Sequence, residues 1–165
     1  MNPKVIVILA GTNNIGSKPS EGAADQVVAD VVAGIEQIVK VCRAKAPAAK
    51  LIVTGIFPRS DSSAAPAIIA RINQQLAQLP YASSGNSIRF LDVNNALSDE
   101  RGRLLPSMTI DGLHLTANAY QVWADGLRPL LVEFLGPPSD TDHAPPPTGD
   151  PSAMRAKATA PISHP

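Results

Sequence analysis

Three unbroken apolar runs, each closed by a polar or glycine-bearing loop and separated by stretches of helical periodicity, set the pattern of this chain. Val5-Ile6-Val7-Ile8-Leu9 is β-branched and leucine-rich without alternation, the pattern of a parallel strand covered on both faces. It runs into Gly11-Thr12-Asn13-Asn14-Ile15-Gly16, a composition suited to a tight loop at the carboxyl end of a strand. With Ser20 as a potential cap, Val28, Val31, Val32, Ile35, Ile38, Val39 and Cys42 then recur at three- and four-residue spacing, which predicts one amphipathic helix over about 23–44, ended by Pro47. Leu51-Ile52-Val53-Thr54-Gly55-Ile56 predicts a second buried strand, closed by Phe57-Pro58-Arg59 and a serine-rich loop. Pro66 suits the first turn of the next helix, whose stripe is Ile68, Ile69, Ile72, Leu76 and Leu79.

After a turn around 83–86, residues Ile88 to Val93 predict a third strand, with Asp92 and Asn94 at its carboxyl end. Residues 94–110 read as a loop with little periodicity, closed by Asp111-Gly112-Leu113-His114-Leu115. Thr116 is a good N-cap for a last helix carrying Tyr120, Trp123, Leu127, Leu130, Leu131 and Phe134, which Pro129 is expected to kink or restart. The Tyr120 and Trp123 spacing reads first as core packing. The βαβαβ order predicts an α/β fold: a three-layer α/β/α arrangement on a parallel sheet with right-handed crossovers.

Composition changes this picture at one end only. Eight of the sixteen prolines fall in residues 136–165, among Ser, Thr, Asp and Ala, a stretch that buries too little surface to offset its ordering entropy. The expected organisation is therefore one domain over 1–135 and a disordered tail over 136–165. Fourteen basic and fourteen acidic residues cancel, so no one-sided field marks the chain for nucleic acid or a membrane surface. No apolar stretch approaches the roughly 20 residues that span a bilayer. The run after Lys4 is too short for a signal peptide, so the chain as written carries no address and reads as cytoplasmic, although an upstream signal would change that. Cys42, the single cysteine, excludes an intramolecular disulfide and is expected as a buried thiol.

The candidate chemistry lies at the strand ends, where open parallel sheets bind their ligands. Gly11 to Asn14, Pro58-Arg59 with its serines, and the loop of Asp111 and His114 are expected to converge there. An Asp three residues before a His can accept the imidazole Nδ1 proton and leave Nε2 free as a base. An Asn amide just after a strand can donate to an oxyanion. Together these describe acyl transfer, with His114 and Asp111 as candidate catalytic residues and Asn13 and Gly11 as candidate oxyanion or substrate-binding residues. The nucleophile is unknown: Ser17, Ser20, Ser60 and Ser62 lie near strand ends, and none stands in a sharp strand-to-helix elbow.

The segment Val5 to Gly16, the Pro58-Arg59 strand end, and Asp111-Gly112-Leu113-His114-Leu115-Thr116 followed by Tyr120 and Trp123 resemble the third and fifth sequence blocks of the SGNH, or GDSL-type, esterases and lipases. The resemblance covers about residues 4 to 135. It implies that the Asn of the third block, here Asn13, donates to the oxyanion, and that the Asp-x-x-His of the fifth block supplies an orienting Asp111 and a general-base His114. It also implies a Gly-Asp-Ser nucleophile block and a glycine block ahead of the asparagine, and neither occurs here.

The resulting expectation is an SGNH-like, flavodoxin-like α/β domain, amino-terminally incomplete, that acts on a carboxylic ester with a small acyl or acetyl group. It needs no metal or cofactor and is nearly inactive as written. Its partners are a small-molecule ester and, through the unpaired edge of the Val5 to Leu9 strand, a further polypeptide. Two other readings stand beside it. One is a non-catalytic relic that binds a small ligand or carbohydrate. The other is a flavodoxin-like nucleotide-binding fragment, which lacks both Gly-x-Gly-x-x-Gly and the phosphate-loop Lys-Ser/Thr pair. A metal site on Asp111 and His114 finds no further ligands nearby, because His143 and His164 belong to the tail.

Overall fold

The computed structural model describes residues 2–16, 22–79 and 87–139. Ser17 and Ser20, the turn at 83–86 and residues 140–165 of the expected tail lie outside the described residues. The elements follow the order β1 (Val5–Ile8), α1 (Ala23–Lys45), β2 (Lys50–Thr54), α2 (Ala65–Gln78), β3 (Ile88–Leu91), α3 (Asn94–Leu97) and α4 (Ala117–Leu135). β1 and β3 each pair in parallel with β2, in register Val5 with Lys50 and Leu51 with Ile88, giving the sheet order β1-β2-β3.

Strand alternation divides the sheet between two faces. Ile6, Ile8, Leu51, Val53, Ile88 and Phe90 pack with the stripes of α1 and α2 in the main core, where Val28, Ile35, Ile68 and Ile72 are buried. The opposite face meets α4: Gly126 lies against Leu91 and Val93, and the Phe134 ring carries the Arg89 guanidinium 5.4 Å from its centroid. With Leu51, Ile52, Val53 and Thr54 at 1% exposure or less, β2 is covered on both sides, as its unbroken apolar run requires.

β1 departs from that expectation. It lies at a sheet edge among the described residues, and Val7 and Leu9 are 39% and 38% exposed. Its apolar run matches a strand buried on both faces, but α4 packs on β3 and meets β2 at Lys50, and the β1 end of the second face stays open.

Helix ends show which local signals won. Pro66 occupies the first turn of α2. Thr116 caps α4, its side chain accepting the Ala119 N–H at 3.4 Å. Gly22, in the left-handed region at φ 90°, holds the N-cap of α1. Pro129 neither breaks nor restarts α4, which runs continuously through it. One missing N–H is outweighed because both halves of the helix pack on the sheet, through Gly126 and through Phe134.

Cys42 is only partly buried, at the rim of the core. Near the carboxyl end of α1, Ile38 and Val41 are exposed while Val39 packs on the core beside Cys42. The segment 94–110 is more ordered than its aperiodic sequence predicts. A short α3, a bridge between Ser98 and Leu104, and a 3-10 turn at Pro106–Met108 place Leu97 and Leu104 in a second core with Phe57, Leu115 and Ala119. Single turns carry no periodic signal, and burial of two leucines anchors them instead.

Candidate functional site

The carboxyl ends of β1 and β2 and the loop before α4 meet, as their sequence positions suggested. After β1, Gly11 takes φ 110° and opens the 3-10 turn Thr12–Asn14. A Cβ on Gly11 would stand 2.8 Å from both Ile56 Cδ1 and Val31 Cγ1, so this position admits no side chain. That close packing sets where the following Asn13, an exposed residue, leaves the sheet.

The loop before α4 is built around Asp111. Its Oδ1 accepts the backbone N–H groups of Leu113 at 3.0 Å and His114 at 2.8 Å, and its Oδ2 lies 2.6 Å from His114 Nδ1. These bonds hold the Asp111 carboxyl at about 2, first through the His114 backbone N–H and then through its ring; the partial burial of the group opposes them. An ionised carboxylate only accepts, so Nδ1 carries the proton and a neutral ring keeps its free lone pair on Nε2. The imidazole side chain is 58% exposed.

Thr109 completes this loop and was not singled out from the sequence. Its hydroxyl donates to the His114 carbonyl at 2.8 Å and accepts the Gly112 N–H at 3.0 Å, while Thr109 and Leu115 form an isolated antiparallel bridge. Threonines in loops are common, and only the folded geometry distinguishes this one.

The turn after β2 joins the other two loops. Arg59 is 4% exposed, and its Nη1 donates to the Thr12 carbonyl at 2.9 Å. Its Nε and Nη2 grip both oxygens of Asp61 at 2.9 and 2.6 Å, which lowers the Asp61 carboxyl and raises the guanidinium. The Ser60 N–H donates to the Gly112 carbonyl at 2.8 Å. Gly112 has φ 84°, and a Cβ there would come within 2.9 Å of Asp61 N and 3.0 Å of Ser60 Oγ. Beside Ser60, a groove of about 710 Å³ is lined by Ser63, Pro66, Ala67, Arg101 and Arg103.

Asn73 of α2, buried and absent from the sequence reading, supports this turn from below. Its side-chain amide accepts the Ile56 N–H at 2.8 Å and donates to the Ile56 carbonyl at 3.0 Å, as a neighbouring strand would. Asn94 donates to the same carbonyl at 2.8 Å, and its N–H is held by Asp92. A polar residue inside the stripe of α2 was the available signal. Tyr120 is 48% exposed, whereas Trp123 packs edge-on against Phe57 at 5.4 Å, so only the tryptophan belongs to the core. Among the described residues, no helix is long and apolar enough to cross a membrane.

Residues 1–122 match the model of the GDSL-like lipase/acylhydrolase family. The chain is 32% identical over 137 residues to the platelet-activating factor acetylhydrolase IB subunit alpha2 of Gallus gallus, covering 82% of this chain and 55% of that protein. It is 31% identical over 137 residues to the Homo sapiens subunit of the same description, with the same coverage. The chain thus spans about half the length of these curated relatives. Among solved structures, a GDSL-like lipase from Bacteroides thetaiotaomicron superposes with TM-score 0.59 at 23% identity, covering 81% of this chain and 64% of that one, and so shares the fold. On the family match and the identity to these relatives, this chain belongs to the GDSL-like lipase/acylhydrolase family.

Proposed function

We propose that this chain carries the base, orienting and oxyanion-donor parts of an ester-hydrolysing site for a small acyl group. The observation that supports it most is the 2.6 Å bond between Asp111 and His114, in a loop tied through Ser60 to the turn beside Asn13. His114 Nε2 takes the proton of an attacking hydroxyl as the tetrahedral intermediate forms. Asp111 holds the ring tautomer and stabilises the imidazolium, the Asn13 amide donates to the developing oxyanion, and His114 then returns the proton to the leaving alcohol. The relatives are described as acetylhydrolases, which supports acetyl as the acyl group.

The attacking hydroxyl is not assigned. Gly-Asp-Ser is absent from the sequence. Loss of the serine from a comparable triad costs about a million-fold in rate, so the chain alone hydrolyses esters at background level.

The test is p-nitrophenyl acetate hydrolysis by two proteins: the chain itself, and the chain fused behind the Gly-Asp-Ser-bearing segment of a relative. The expected result is background rate for the first and turnover for the second that falls at least about a hundredfold with His114→Ala. A folded fusion whose rate does not respond to His114→Ala overturns the reading in favour of a non-catalytic binding module.

A further inference from the structure

We propose that Arg59 is the positioning residue that holds the Asn13 loop and the Asp111–His114 loop in one constellation, with Asp61 as its counter-ion. The meaning of what is positioned rests on the ester-hydrolysis reading; the tether itself is measured without substrate.

The two loops are far apart in sequence and share no secondary structure. The turn 59–61 touches the backbone of both beside the residues in question. Arg59 Nη1 binds the carbonyl of Thr12, which precedes Asn13, and Ser60 N–H binds the carbonyl of Gly112, two residues before His114. Neither contact can slide. The absent side chain of Gly112 lets its backbone lie against Ser60 and Asp61, and Asn73 holds both backbone groups of Ile56 at the root of the turn.

The guanidinium suits this task for a specific reason. Its planar fork serves Asp61 with two parallel N–H groups while a third reaches Thr12, a division that one ammonium cannot reproduce. Asp61 matters for charge as well as geometry. The Asp111 carboxylate opposes ionisation of Asp61, and the Arg59 guanidinium outweighs it and keeps Asp61 charged in place. Without Arg59, an uncompensated carboxylate would face the carboxylate that orients His114. The Arg59 guanidinium bonds the Thr12 carbonyl and the Asp61 carboxylate, so it acts through the two loops.

The test is site-resolved amide hydrogen exchange on the whole 165-residue chain, with proton NMR of the His114 Nδ1–H, in wild type, Arg59→Met and Arg59→Lys. In Arg59→Met, exchange at Asn14 and Ile15 and at Gly112, Leu113 and His114 is expected to rise together by about tenfold or more, while Ile52 and Val53 of β2 stay within about twofold. The His114 Nδ1–H signal is expected to broaden, and Arg59→Lys is expected to restore neither loop. Three results overturn the proposal: a rise confined to one loop, an equal rise across β2 that reports only lower stability, or full rescue by lysine. If Arg59→Met does not fold, Asp61→Asn takes its place with the same expected pattern. Because no ester is used, failure here leaves the hydrolytic reading to its own assay, and the reverse also holds.

Discussion

One carboxylate, that of Asp111, binds His114 twice: Oδ2 lies 2.6 Å from the ring Nδ1, and Oδ1 accepts the backbone N–H of the same residue at 2.8 Å. Ring and backbone are thereby oriented by a single side chain. Folding lowers this carboxyl from 3.8 to about 2. A depressed carboxyl contributes its stability fully above its unfolded value and loses it as pH falls through the folded one, so the window runs from about pH 4 to about pH 2. The urea midpoint of wild type should fall more steeply across that window than the midpoint of Asp111→Asn. Parallel slopes would remove Asp111 as a source of the acid sensitivity. Because the Asp111 side chain is 44% exposed, the effect is reduced by solvent screening.

Asn73→Ala should destabilise the chain by about 1–3 kcal/mol, the cost of leaving the buried Ile56 N–H without an acceptor. The Ile56 carbonyl keeps its bond to Asn94, so the loss is dominated by one group. Asn73→Asp should be worse than its isosteric shape suggests, because it places a carboxylate beside the Ile56 carbonyl and Asp92. Denaturation midpoints of the two variants check the order.

Gly11→Ala and Gly34→Ala should move stability in opposite directions. Gly11 combines φ 110° with 2.8 Å approaches to Val31 and Ile56, and its substitution should cost about 1–3 kcal/mol or more. Gly34 sits within α1, with no atom within 4 Å of an added Cβ, and alanine there should stabilise by about 0.5–1 kcal/mol. Thermal unfolding of both variants decides it, and a shift of the same sign would contradict the packing of Gly11.

The open edge of β1 bears on association. Val7 is exposed on a strand whose outer edge has no partner among the described residues. Val7→Lys places a charge on that edge and should reduce concentration-dependent self-association in sedimentation velocity, with less than about 1 kcal/mol change in stability. Unchanged sedimentation would exclude this edge as the contact.

The sequence by itself determined the α/β class, the three parallel strands, the presence and starts of α2 and α4, the extent of α1 and the Asp111–His114 pair. Each of these rests on local information: unbroken apolar runs, a 3.6-residue stripe, Pro66 and Thr116 at helix starts, and two residues three apart whose side chains meet within one loop.

Only the tertiary structure decided how the three loops are joined. The roles of Arg59, Thr109 and Asn73 include hydrogen bonds to Thr12, His114 and Ile56, which lie 47, 5 and 17 positions away, and the local sequence does not announce those partners. It also decided that β1 is open where β2 is closed. Two similar apolar runs differ in burial because β2 lies between two strands and β1 has β2 on one side only, a matter of sheet order that strand composition does not encode.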